Sequence, residues 1–175
     1  MRWEALFADL EAQLEATREL DERAELAELT RAERATVRLA DRVRASIGAH
    51  VRALLVDGQT VEGRLIDAAP QWALIAERPA RQVLVPAGSI AALVGVPPHA
   101  APSAGEVERR LTLGHALRAL ARDRLAVHID VQGARMAGRI DRVGADHVEL
   151  APAGEGLTAR PWAVPFDAIV AVRSL

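Results

Sequence analysis

Val51-Arg-Ala-Leu-Leu-Val-Asp57-Gly58-Gln-Thr-Val-Glu-Gly63-Arg64-Leu65-Ile-Asp67 decides how this chain folds, because its landmarks return later in the sequence. Gly58-x4-Gly63-Arg64 is matched by Gly133-x4-Gly138-Arg139. Carried on without a gap, the register sets Leu65 against Ile140, Trp72 against His147 and Ile75 against Leu150. The ends agree again, Val85-Pro86-x3-Ile90 with Val164-Pro165-x3-Ile169. Only the loop between Ala151 and Arg160 is longer in the second copy. Agreement at several separated anchors identifies a duplication.

Outward from that stretch the texture is β. Val51–Val56, Val61–Ala68, Trp72–Ala76, Gln82–Pro86 and Ile90–Val94 are short runs of β-favouring residues, with Asp57-Gly58 as the first turn. Leu125–Leu175 repeats this texture. Residues 2–47 contain neither Gly nor Pro and end at Gly48, as a long helix would. Thr30-Arg-Ala-Glu33 has capping-box spacing, which predicts a break or kink near Leu29. Ser103 and Glu106 have the same spacing and predict a second helix running to about Arg124.

The pattern Val51-x5-Asp57-Gly58-x4-Gly63-Arg64-Leu65-Ile66-Asp67, following a helix, resembles the Sm and Sm-like family. The resemblance covers residues 51–94 and again 126–172. It implies a mainly β fold with helices: a long N-terminal α-helix, then two tandem five-stranded antiparallel barrels of Sm-like or SH3-like type, each preceded by a helix. The expected segments are an amphipathic charged helix at 1–47, a first barrel at 48–96, a linker at 97–105, and a helix with a second barrel at 106–175. Gly58, Gly63, Gly133 and Gly138 mark turns and bends, where a small barrel needs close backbone approach. The family's RNA pocket is not carried over. Where that family presents an Asp, a stacking residue and an Asn, this chain has Pro70-Gln71-Trp72-Ala73 and Ala145-Asp146-His147-Val148. Its basic-glycine pair is replaced by Pro86-Ala87 and Pro165-Phe166.

Composition removes several function classes. There is no Cys, which excludes disulfides, thiolate nucleophiles and Cys-based zinc sites. Every basic residue apart from His is Arg, so a Walker-type phosphate loop has no lysine to use. The Arg and Ala bias suggests a GC-rich, actinobacterial-type genome. No apolar run has the length of a membrane helix, and nothing resembles a signal peptide, so the expected location is the cytoplasm. His50, His99, His115, His128 and His147 are scattered without ligand spacing, so no metal and no cofactor are expected. Serines lack a nucleophile-elbow setting, and no carboxylates stand out as an acid/base pair. The expectation is a protein that is not an enzyme.

Two readings of function remain open. Trp3, Phe7, Leu10 and Leu14 share one helix face, and an isolated helix cannot bury them. With unpaired barrel edges, this points to an assembly or adaptor protein that self-associates or recruits a protein partner. The alternative is RNA or other nucleic-acid binding through Arg31, Arg34, Arg38 and Arg42 and through Arg109, Arg110, Arg118 and Arg122. Arg31, Arg34, Arg38 and Arg42 also read as a solvated face paired within the helix to Glu33, Asp41 and neighbouring acids. Trp72 and Trp162 are either stacking platforms or core and interface filler. A ligand site in the cleft between barrels is a third option, with no convergent polar set to mark it.

Overall fold

The computed structural model describes residues 2–102, 105–106, 110–153 and 160–175, without the side chains of 2–12, 16, 17 and 33. The chain divides into two compact units, residues 1–37 and 38–175. The first unit is one helix, α1 (Arg2–Thr36). Its leucines at 14, 20, 26 and 29 are all exposed. Thr30 does not cap a new helix. Its hydroxyl donates to the Leu26 carbonyl one turn back, 2.8 Å away, so the helix runs through the position expected to break it. The interruption comes at Val37-Arg38, where Arg38 is extended at φ −80° and ψ 145° ahead of α2 (Leu39–Arg44). No helix among the described residues is long and apolar enough to cross a membrane.

The second unit is mainly β. The first copy contributes β1 (His50–Leu55), β2 (Thr60–Ala69), β3 (Trp72–Arg78), β4 (Arg81–Pro86) and β5 (Ile90–Val94). After α3 (Leu113–Asp123), the second copy contributes β6 (Ala126–Val131), β7 (Ala134–Val143), β8 (His147–Pro152), β9 (Trp162–Pro165) and β10 (Ile169–Ser174). All ten strands belong to one antiparallel sheet in the order β5-β1-β2-β3-β4-β10-β6-β7-β8-β9. Within each copy the last strand returns beside the first, and a 3-10 turn separates the last two strands, Ala87–Ser89 in one and Phe166–Ala168 in the other.

The repeated glycines do the same work in both copies. Gly63 lies opposite Val51, and Gly138 opposite Val127. A Cβ on either would lie 2.1 Å from a carbonyl oxygen of the next strand, that of Ala76 or Ala151. Just beyond each glycine the ladder skips one residue, between Leu65 and Asp67 and between Ile140 and Arg142, which bends the strand. The hairpin glycines Gly58 and Gly133 have φ of 84° and 80°, a region where a side chain is strained.

Separate, closed barrels are not what forms. The two copies merge edge to edge through β4 and β10, with Leu84 opposite Val172 and Val83 opposite Arg173. Two cores result, and the joint strands serve both. Val83 and Val85 enter the first core while Leu84 enters the second, as alternation along a strand requires. Likewise β10 sends Val170 and Ala171 into the first core and Ile169 and Val172 into the second. Each copy therefore completes the other's interior, which a sheet closed on itself would not need.

Candidate functional site

The joint holds the most organised polar cluster in the described chain. Arg173 on β10 is 4% exposed and Asp130 on β6 is 1% exposed, in an otherwise aliphatic interior. Arg173 Nε donates to Asp130 Oδ2 at 2.7 Å and Nη1 to Glu77 Oε1 on β3 of the first copy at 3.2 Å. Its Nη2 reaches the Gln59 side-chain oxygen at 3.3 Å. Arg135 on β7 binds the same carboxylate from the surface side through Nε to Oδ1, and through Nη2 to Oδ2 at 3.1 Å. Arg81 Nε closes on Glu77 Oε2 at 3.1 Å. One guanidinium thus bridges the two copies, with every buried side-chain polar atom among the described residues paired. At the sheet margin the Gln82 amide donates to Ser174 Oγ at 2.8 Å.

Burial pushes the Asp130 carboxyl up, but hydrogen bonds from Arg135 and Arg173 outweigh it and hold it below its ordinary value. Because the folded state favours the carboxylate, this contribution to stability is complete above the unfolded-state pKa of about 3.9 and fades as pH falls through the folded one. We expect the body's stability to drop as pH is lowered below about 4. In Asp130→Asn that part of the pH dependence should vanish, as read by urea midpoints between neutral and acid pH. An unchanged acid limb would remove Asp130 from the account.

Beside the joint runs an open groove of about 710 Å³, lined among others by Gln71, Pro86, Ser89, Gln132, Phe166 and Asp167. No arginine or histidine is among its lining residues, and its one charged group is the Asp167 carboxylate. That is the wrong charge for tracking phosphates. Ser89 Oγ is committed to the Ile169 carbonyl at 2.8 Å. Gln71 accepts from the Leu113 amide at 3.1 Å, which anchors the start of α3. Nothing here forms a nucleophile–base pair. Among the described residues, no group of three or more His, Asp or Glu is placed to hold a metal ion.

The arginines singled out from sequence are spread over several elements. Arg31 and Arg34 belong to α1, whereas Arg38 is the extended residue before α2 and Arg42 lies inside it, so the four do not line one continuous helix. Arg31 faces Glu28 at 3.8 Å, and Arg110 pairs with Glu106 at 2.7 Å. Arg42 Nε donates to the Pro97 carbonyl at 2.6 Å, fastening α2 to the segment after β5. Arg118 Nη2 donates to the Gly144 carbonyl at 3.2 Å. Arg122 is exposed, while Arg109 lies outside the described residues. The Trp3, Phe7 and Leu10 side chains of α1 also lie outside them, and Leu14 is exposed. Trp72 is core, its indole N–H donating to the Leu111 carbonyl at 3.1 Å, but Trp162 is 59% exposed.

Asp130, Arg173 and Glu77 were not among the sequence candidates. A charge within Val127-His-Ile-Asp130-Val and another closing Ile169-Val-Ala-Val-Arg173 were the available signals, since each falls in an apolar strand. No family model matches the chain, and no curated protein matches it significantly.

Proposed function

We propose that this chain is a non-catalytic assembly or adaptor protein, built from two Sm-like five-stranded units locked into one body and carrying a separate recruiting helix. The observation that carries the reading is the joint itself, where the sheet edges of two homologous units pair through β4 and β10 around a buried Arg173 bridge. Edge pairing is therefore a mode of association this chain already uses. The strand order, the shared bulge and the glycine close approach support the Sm-like assignment. The face Trp3-Phe7-Leu10-Leu14 read from the sequence supports recruitment, because four apolar residues at helical spacing gain by packing against an amphipathic partner helix, and Leu14 is exposed.

Nucleic-acid binding has less support. Arg42 and Arg118 are bonded to backbone carbonyls, Arg31 and Arg110 face carboxylates, and the groove beside the joint lacks positive charge. Affinity purification of the full chain from its native host, with and without nuclease, separates the two readings. The expected result is protein partners that survive nuclease and are lost when Trp3, Phe7, Leu10 and Leu14 are changed to Gln. Recovery that depends on intact RNA or DNA would overturn the adaptor reading, as would partners indifferent to those four residues.

A further inference from the structure

Duplication lets a position in one copy be compared with its counterpart in the other, and one such pair leaves a space unfilled. Val85-Pro86-Ala87 corresponds to Val164-Pro165-Phe166, so alanine stands in the first copy where the second has a phenyl ring. The two prolines share one backbone conformation, φ −60° with ψ 139° and φ −61° with ψ 145°, so both side chains leave a 3-10 turn from the same place. The walls correspond as well. Leu39-Ala40-x2-Val43 of α2 matches Leu113-Gly114-x2-Leu117 of α3, with Val43 and Leu117 both buried. On the sheet, Ala73 lies opposite Val85 as Val148 lies opposite Val164.

In the second copy the ring fills its place. Phe166 packs against the second core, and its Cε2 lies 3.3 Å from where a Cβ on Gly114 would be, so α3 carries glycine where the ring passes. In the first copy the same region is a cavity of about 190 Å³ between α2 and the sheet, with Leu39, Ala40, Val43, Trp72, Ala73 and Ala87 among its lining residues. Leu39 and Ala87 are exposed, so the cavity is open to solvent.

Its chemistry selects the guest. Every described residue lining it is apolar, and the Trp72 indole N–H is already committed to the Leu111 carbonyl. A charged or strongly polar guest would lose its hydration there without compensation. A dry apolar space of about 150 Å³ is enough to take up benzene, whereas drug-sized ligands need pockets of about 300–1,000 Å³. One ring fits, and little more.

We propose that this cavity is a docking pocket for a single uncharged aromatic side chain of a protein partner, which takes in the first copy the place that Phe166 holds in the second. The inference rests on the adaptor reading and adds a contact on the sheet body to the recruiting face of α1. A side chain is the occupant for which the chain supplies its own template, since Phe166 enters from a backbone flanked by exposed Pro165 and Asp167. Aromatic anchors seated in apolar pockets carry much of the binding energy of protein interfaces.

The test uses N-acetyl-phenylalanine amide as probe, against the corresponding arginine and glycine amides, with the Trp72 indole resonance of the full chain as reporter. The expected result is a saturable shift with the phenylalanine probe, at least ten-fold weaker binding of the arginine probe, and none of the glycine probe. Ala87→Phe supplies the missing ring from within, so it should abolish the shift and raise the thermal midpoint. Ala40→Met blocks the same space from α2 and should also abolish the shift, whether or not Ala87→Phe folds. A protein partner recovered on the wild type should bind Ala87→Phe at least ten-fold more weakly, and changing one aromatic residue of that partner to alanine should reproduce the loss. The absence of a saturable shift would overturn the inference, as would an arginine probe that binds equally well, blocked variants that bind like wild type, or a partner indifferent to Ala87→Phe. Any of these, with partner recovery still dependent on Trp3, Phe7, Leu10 and Leu14, defeats this inference while leaving the adaptor reading standing.

Discussion

Arg173→Ala should destabilise the sheet body by about 3–5 kcal/mol, the range for removing one partner from a buried ion pair. The substitution leaves the Asp130 carboxylate at 1% exposure with Arg135 as its remaining cation, and leaves Glu77 leaning on Arg81 alone. It also opens a gap where the two cores meet, since Arg173 lies opposite Val83 beside Leu84 and Val172. The loss should show as a lower urea midpoint. The first copy suggests the compensating experiment, because in strand register Leu54 and Val94 stand at the positions of Asp130 and Arg173. Arg173→Met with Asp130→Leu removes both charges together, and buried ion pairs replaced by apolar residues of similar volume are often neutral. The double variant should regain most of the loss. A single variant within about 1 kcal/mol of wild type would show that the bridge does not hold the copies together.

Gly138→Ala and Gly63→Ala should each cost about 3 kcal/mol or more, at or beyond the upper end for overpacking. The added methyl would lie 2.1 Å from the carbonyl oxygen of Ala151 or Ala76. That obstacle is backbone of the paired strand, so no side-chain rotation relieves it, and the strands must part where the bulge begins. Gly88→Ala is the control, with nothing within 4 Å of the new carbon. It should change stability by no more than about 0.5 kcal/mol. Equal losses at 63 and 138, measured by chemical unfolding, would mean that the duplicated glycines meet the same steric demand. Tolerance of alanine at either would sink that account.

Some of this architecture is written locally. Strand positions follow from alternating apolar residues, turn positions from glycines that adopt positive φ, and the duplication from repeated spacing. Each depends on residues near one another in the chain, so the pattern around Gly58 and Gly63 carries it directly. The helix break is a partial failure of the same logic. Thr30 and Glu33 have the spacing of a cap, but the Thr30 hydroxyl satisfies the Leu26 carbonyl instead, and both outcomes use the same residue type. Arg42 was open in the same way, since an arginine on a helix reads alike whether it meets solvent, a phosphate or the Pro97 carbonyl.

Which edges of the two units meet was a tertiary decision. Two pairs of homologous strands, β4 with β9 and β5 with β10, all read as apolar runs, and nothing within any one of them says which neighbour covers it. The choice falls to contacts between distant residues: Glu77 with Arg173 with Asp130, and a β4 whose alternate side chains fill two different cores. A lone charge in an apolar strand is costly until its partner arrives, and that partner comes from another strand of the fold. Period and turn chemistry therefore specify the elements and their repetition, while desolvation of a few charges specifies how the repeats are joined.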